Sequence, residues 1–242
     1  MPGFVAGIVM LDSDTPRIPG DPGHAGTFDF PVCYATAHGF GVDDMLEYRP
    51  ERLAPALAAV KELEQAGVGF VAADCGLFSI YQRDLAAASG VPFLGSALSL
   101  VPLMAQSLGP RSAVGIVTGH TGYLREAHLA AVGIDPTRVV VAGMEECSEF
   151  CRVIIDGGDD LDVEALRAGT LQAAARLTAG SWPIGAILLE CSNLATFRSD
   201  VQQATGVPVF DMVSLIESFA DGYRQRTFSF PYLAGRGVGG IS

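Results

Sequence analysis

The chain is poor in positive charge: 15 lysines and arginines stand against 27 aspartates and glutamates, a net charge of −12. Nucleic acids are held through clustered cations on their phosphates, so no nucleic-acid partner is expected. A small anion is not excluded, because a local site can oppose the global field. No apolar run approaches the roughly 20 residues of a membrane span, so no membrane partner is expected. Met1–Leu11 is apolar but short, without a basic flank or a cleavage site, and does not read as a signal peptide. The five cysteines are odd in number. With no export signal they read as reduced thiols of a cytoplasmic protein. Walker loops and dinucleotide glycine fingerprints are missing. Cys147 and Cys151 lie four apart on a helix, with no second cysteine or histidine pair to complete a metal site. They read as helix packing, and neither a metal nor a cofactor is expected. Cys33, on an apolar strand, reads as a small buried hydrophobe.

What the chain does have is apolar content, 49% with a mean hydropathy of +0.34, enough for a sizeable core over 242 residues. Short apolar runs predict strands at Phe4–Leu11, Pro31–Thr36, Val68–Ala73, Pro92–Leu94, Ala113–Thr118, Val139–Ala142, Ile184–Leu189 and Val207–Phe210. Amphipathic stretches between them predict helices, among them Pro50–Ala66, Phe78–Ser89, Leu98–Leu108, Tyr123–Val132, Asp162–Ala179 with Asp162 as N-cap, Ala195–Thr205 and Val213–Arg226. Strand–helix alternation implies parallel sheets with right-handed crossovers. The loop Asp12–Phe30 is long and rich in Pro, Gly and Asp, as functional or disordered loops are.

One pattern occurs twice. Gly69-Phe-Val-Ala-Ala-Asp-Cys75 is followed by Tyr81, Asp84 and Gly90-Val-Pro92. Gly185-Ala-Ile-Leu-Leu-Glu-Cys191 is followed by Phe197, Asp200 and Gly206-Val-Pro208, at a constant offset of 116. A second echo pairs Ala6-Gly7-Ile8-Val9 with Val114-Gly115-Ile116-Val117. Such repeats mean similar half-domains. The fold expected is therefore α/β, with two pseudo-symmetric halves, each a parallel four-stranded sheet flanked by helices. The N-terminal half spans 1–110 and carries Cys75; the C-terminal half spans 111–228 and carries Cys191; 229–242 reads as a flexible tail.

Both cysteines end a strand and precede a helix. Ligands of parallel α/β sheets bind at the carboxyl ends of the strands, and helix N-terminal amides favour a thiolate, lowering its pKa from about 8.5. Two thiols facing one cleft can take a proton from one face of a carbon and return it to the other. The alternative is packing cysteines at repeat-equivalent positions. Strand alternation turns Asp74 and Glu190 away from their cysteines or over the next turn. Arg17, in the stiff segment Thr15-Pro-Arg17-Ile-Pro, reads either as a carboxylate clamp or as a solvated surface arginine. His24, His38 and His128 have no matched partners.

The cysteine pair, the near-twin halves and the segment Leu188-Leu-Glu-Cys191-Ser-Asn-Leu194 resemble the aspartate/glutamate racemase superfamily, over roughly Phe4 to Arg226. That group includes cofactor-independent amino-acid racemases, hydantoin racemases, maleate isomerases and arylmalonate decarboxylases. The resemblance implies an active site between the halves, with Cys75 and Cys191 as acid and base, and a homodimer. It places substrate-binding residues at Asp12 and Ser13, Gly76 and Leu77, Thr118 and His120, and Ser192 and Asn193. Two departures stand out. Racemases carry Asn-Thr after the first cysteine where this chain has Gly76-Leu77, and Thr-His or Thr-Glu after the second where it has Ser192-Asn193. Leu77, Phe78, Tyr81 and Phe197 then suggest a less polar pocket, unless they are helix core. The expected function is a cofactor-independent racemase or epimerase acting beside a carboxylate or carbonyl, on a small carboxylate or amide-type substrate. The alternatives are a maleate-type cis–trans isomerase with covalent cysteine addition, or an inactive ligand-binding protein on the same scaffold.

Overall fold

Strands covered on both faces need apolar side chains on both, and the continuous apolar runs form them. The computed structural model describes residues 4–224; the 229–242 segment lies outside the described residues. Strands β1 (Ala6–Leu11), β2 (Val32–Ala37), β3 (Phe70–Ala73) and β4 (Phe93–Leu94) form one parallel sheet in the order β2-β1-β3-β4. Strands β5 (Ala113–Thr118), β6 (Val139–Gly143), β7 (Ile184–Leu189) and β8 (Val209–Phe210) form a second in the order β6-β5-β7-β8. The fold is thus α/β, with two parallel four-stranded sheets of the same topology flanked by helices.

Strand alternation divides the side chains between cores. Ala6, Ile8, Phe70 and Ala72 of the first sheet share one cluster with Val114, Ile116, Ala186 and Leu188 of the second. Their alternates Val9, Leu11, Val71 and Ala73 face an outer core of the first half, and Val117, Ile187 and Leu189 face that of the second. The helix Met212–Tyr223, at the end of the second half, returns to the first: the Tyr223 hydroxyl donates to Gly69 O at 2.6 Å, and Phe219 lies 5.9 Å from the Phe70 ring.

The helices depart from expectation in one consistent way. Pro50–Ala66 divides into a 3-10 turn, Pro50–Arg52, and an α-helix, Ala54–Gln65. Each cysteine likewise opens a 3-10 turn before the α-helix begins: Gly76–Tyr81 then Gln82–Ala88, and Ser192–Phe197 then Arg198–Thr205. Asp162 caps its helix as expected, accepting from Ala165 N at 3.0 Å. The short helix Val42–Glu47 was not anticipated, and the helix expected through Cys147 and Cys151 is a short α turn, Ser148–Phe150, that continues as the π-helical turn Cys151–Ile155.

The long loop after β1 is built on Asp21, which is 1% exposed. Its carboxylate accepts from Gly23 N at 2.6 Å and its carbonyl from Thr27 Oγ1 at 2.6 Å. Gly20 adopts φ +100°, and a Cβ there would lie 2.7 Å from Thr196 Cα, so glycine is required for the loop to rest on the second half. Thr196 Oγ1 donates to Pro19 O at 2.9 Å and Asn193 Nδ2 to Asp21 Oδ2 at 3.0 Å. Among the described residues no helix is long and apolar enough to cross a membrane.

Candidate active site

In a 2-1-3-4 sheet the chain reverses its direction of travel between the first and third strands, and a crevice opens there. Here it lies between the ends of β1 and β3, and again between those of β5 and β7. The two crevices meet in a cavity of about 60 Å³, room for about four to six water-sized sites and so for a small molecule only. Cys75 and Cys191 both line it. Ser13, Arg17, Gly76, Leu77, Thr118, His120, Ser192 and Asn193 line it too, but Asp12 does not. Asp12 Oδ2 instead accepts from Gly39 N at 2.7 Å. The apolar part of the wall was missed from sequence, chiefly Val42, Met45 and Leu46 from the short helix, Phe150, Ile154 and Ile155 from around the π turn, and Tyr123; Asp74 and Glu190 line the cavity as well. Phe78, Tyr81 and Phe197 lie in the outer cores rather than at the cavity.

Each cysteine stands at the N-cap of its 3-10 turn, with no amide of the turn hydrogen-bonded to its sulfur, though the nearby amides of Leu77 and Asn193 favour the thiolates. The Cys191 thiol donates to Asn193 Oδ1 at 3.5 Å. The turn amides do not lower the thiol pKa values as expected. Burial pushes Cys75 well up, reinforced by the charges of Glu190 and Asp74. Burial pushes Cys191 up as well, with Glu190 the next cause. Removal from water costs a thiolate more than one or two peptide amides return. Both thiols are therefore neutral.

The acids before the cysteines reach back across their sheets. Asp74 N donates to Val9 O at 3.0 Å and Glu190 N to Val117 O at 2.8 Å. Asp74 Oδ1 accepts from Leu11 N at 3.1 Å and Oδ2 from Arg17 at 2.6 Å. Arg17 also bonds both Asp21 oxygens, at 3.2 and 3.3 Å. Burial works to lower its pKa, but the two carboxylates outweigh this and raise it. Burial likewise raises Asp74 despite Arg17, yet a 2.6 Å ion pair keeps both groups charged. Arg17 is thus an inner member of an Asp21–Arg17–Asp74 chain, not a solvated surface residue.

Glu190 differs. It is 2% exposed. Its Oε2 accepts from Thr118 Oγ1 at 2.8 Å, while Oε1 has no hydrogen-bond partner. Burial raises its carboxyl to about 7, against hydrogen bonds from Thr118 and the Gly119 amide. Glu190 packs against Gly76, where a Cβ would overlap both its Oε1 and its carbonyl oxygen. The Ser192 hydroxyl donates to Asp74 O, so the halves are joined at both cysteine turns.

Cys147 is half-buried, with its Sγ packed where a Cβ on Gly169 would fall. Among the described residues no three His, Cys, Asp or Glu side chains are grouped to hold a metal. His128 is buried, accepts from Arg125 N at 3.0 Å through Nδ1, and is held neutral by burial with its pKa lowered to about 4.

Twin parallel sheets meeting over a small, cysteine-lined cavity define the racemase-type α/β class. The chain belongs to the Asp/Glu/hydantoin racemase family, whose model matches residues 31–217. It is 29% identical to a dimethylsulfoniopropionate lyase of Durusdinium sp. clade D, over 90% of this chain and 74% of that protein. It is 29% identical to dimethylsulfoniopropionate lyase 7 of Emiliania huxleyi, over 88% of this chain and 65% of that one, so it spans less than two thirds of the second relative. In fold it is similar to unliganded arylmalonate decarboxylase (TM-score 0.58, 19% identity, 91% of this chain and 92% of that one). It is also similar to a glutamate racemase isoform from Bacillus anthracis (TM-score 0.57, 13% identity, 91% and 82% covered).

Proposed function

We propose that the protein is a carbon-acid enzyme: a cysteine removes the proton next to a small carboxylate, and the carbanion collapses by β-elimination. The reading rests above all on Cys75 and Cys191 lining one small cavity. Elimination is favoured over racemisation by the similarity to dimethylsulfoniopropionate lyases over nine tenths of the chain and by the unequal surroundings of the thiols. Returning a proton to either face calls for two equivalent groups, whereas a one-way elimination needs a single base.

With a sulfoniopropionate the steps balance without a cofactor. The thiolate takes the α-proton, the freed electron pair forms the carbon–carbon double bond, and the carbon–sulfur bond breaks. Neutral dimethyl sulfide leaves with the bonding pair and acrylate remains, so the leaving group needs no acid. The base must first be formed, and a sulfonium entering the cavity helps by opposing the negative field that raises both thiols. Arg17, Ser13 and the first-turn amides after each cysteine are the donors available to the carboxylate.

The test is release of dimethyl sulfide from dimethylsulfoniopropionate, followed by headspace gas chromatography. The expected result is turnover that depends on at least one of the two cysteines. Racemisation is the second reading, motivated by the repeated position of the thiols. If no dimethyl sulfide forms, but amino acids or 5-substituted hydantoins take up α-deuterium in heavy water, racemisation replaces elimination.

A further inference from the structure

The cysteine cavity is not sealed. Ser13 is exposed yet lines it, and Cys75 and Cys191 are only half-buried. A second, wider cleft of about 390 Å³ lies against it. The two share five lining residues: Ser13 and Thr15 from the loop after β1, Val42 from the helix Val42–Glu47, and Ile154 and Ile155 from the π turn. Voids that share wall residues are stages of one passage, and these five form the step between them. Both halves supply it. Val42 belongs to the first, on a helix held near its start by the Arg52–Asp44 pair at 2.6 Å and near its end by Arg125 of the second half, which donates to Leu46 O at 2.9 Å. Ile154 and Ile155 belong to the second, in a turn closed by Asp156 N donating to Cys151 O at 2.9 Å.

Outside that step the walls change character. The wider cleft carries five aspartates, Asp12, Asp14, Asp43, Asp44 and Asp156, against two arginines, Arg49 and Arg52. Both arginines face Asp44. Asp14, Asp43 and Asp156 are exposed, and among the described residues none of them is ion-paired. A cleft walled by one sign of charge concentrates the opposite sign and steers its entry, an effect that salt screens.

We propose that the wider cleft is the entry route to the cysteines, that Val42, Ile154 and Ile155 are its gate, and that it admits small cations and zwitterions ahead of anions. The acids do not hold the ligand; they bias what arrives at an apolar passage. A dicarboxylate meets the same walls with the wrong sign. The inference rests on the cysteine cavity being the reaction site, and it deepens the elimination reading by naming the charge class of the substrate. It concerns access, so it is read from the thiols rather than from turnover.

The experiment is thiol labelling of the full chain with two small methanethiosulfonates, one carrying an aminoethyl cation and the other an ethylsulfonate anion. Rates at Cys75 and Cys191 are followed by peptide mass spectrometry and divided by each reagent's rate with 2-mercaptoethanol, a neutral thiol. The cation should label the two thiols about tenfold faster than the anion at low salt, and the ratio should shrink toward one in about 1 M salt, where the screening length is about 3 Å. The triple variant Asp14→Asn, Asp43→Asn, Asp156→Asn, confined to exposed positions, should lower the low-salt ratio. Val42→Trp on one side of the gate, and Ile155→Trp on the other, should each remove most labelling by both reagents. A ratio near one at low salt, a ratio that the triple variant leaves unmoved, or labelling at the parent rate in a folded Val42→Trp or Ile155→Trp protein would each overturn the assignment. Cation-selective labelling that the triple variant lowers, in a protein that releases no dimethyl sulfide, would leave the entry route standing and remove the elimination reading.

Discussion

The two cysteine turns share a frame and differ in charge. In each, an acid at the strand end bonds through its amide to the first strand of its sheet, a cysteine stands at the N-cap of a 3-10 turn, and an α-helix follows. In the first, the acid meets an arginine at 2.6 Å; in the second, it meets a threonine hydroxyl and keeps one oxygen bare. The difference shows where a duplicated fold is free to diverge. Register and capping are fixed by backbone geometry, while neutralisation depends on which side chain a neighbouring loop supplies.

Removing the thiols one at a time tests the comparison most severely. Cys75→Ser and Cys191→Ser should give unequal losses: the cysteine acting as base should cost on the order of 10²–10⁴-fold in kcat, the other far less. Equal, complete losses would instead mark a two-base site. Initial rates of dimethyl sulfide release decide between them.

Removing the charge partners comes next. Arg17→Met leaves Asp74 buried and unpaired, and should cost about 3–5 kcal/mol of stability at neutral pH, seen as a lower urea midpoint. Glu190→Gln should act in the opposite sense. A carboxyl raised from 4.5 to about 7 on folding binds its proton more tightly in the folded state. Its contribution to stability is full below about pH 4.5 and is lost as pH rises through about 7, roughly 3 kcal/mol at most. The parent should therefore lose stability relative to Glu190→Gln across that window in paired urea melts. A constant difference across pH would show that Glu190 does not titrate there.

The smallest effects lie where the halves touch. Gly76→Ala would press a methyl group into Glu190 and should cost about 1–3 kcal/mol. At the equivalent position Ser192→Ala only removes the hydroxyl bond to Asp74 O, worth about 0.5–1.5 kcal/mol. Thermal melts that rank them the other way would place the tighter contact on the serine side.

Much of this was legible before the structure. The strands Ala113–Thr118 and Ile184–Leu189 fall where their apolar runs do, and the placing of both cysteines at strand ends follows from the repeat. The cavity wall was harder to read. The helix Val42–Glu47 is too short to show a period, and Cys151–Ile155 joins a π turn whose spacing matches neither helical nor strand alternation. The setting of Arg17 depends on Asp74, 57 residues away, which no local pattern reveals. The thiol shift carried the wrong sign because a helix N-terminus is visible in sequence and depth of burial is not.

Arg17 neutralises Asp74 from a loop that is itself fastened to the second half, through Pro19, Gly20 and Asp21 on Thr196 and Asn193. Any motion that lifts this loop draws the arginine away and exposes a carboxylate beside the first cysteine. The charge balance beside the first cysteine is therefore set by contacts made on the other half of the molecule: a substitution at Thr196 or Asn193 reaches Asp74 through the loop.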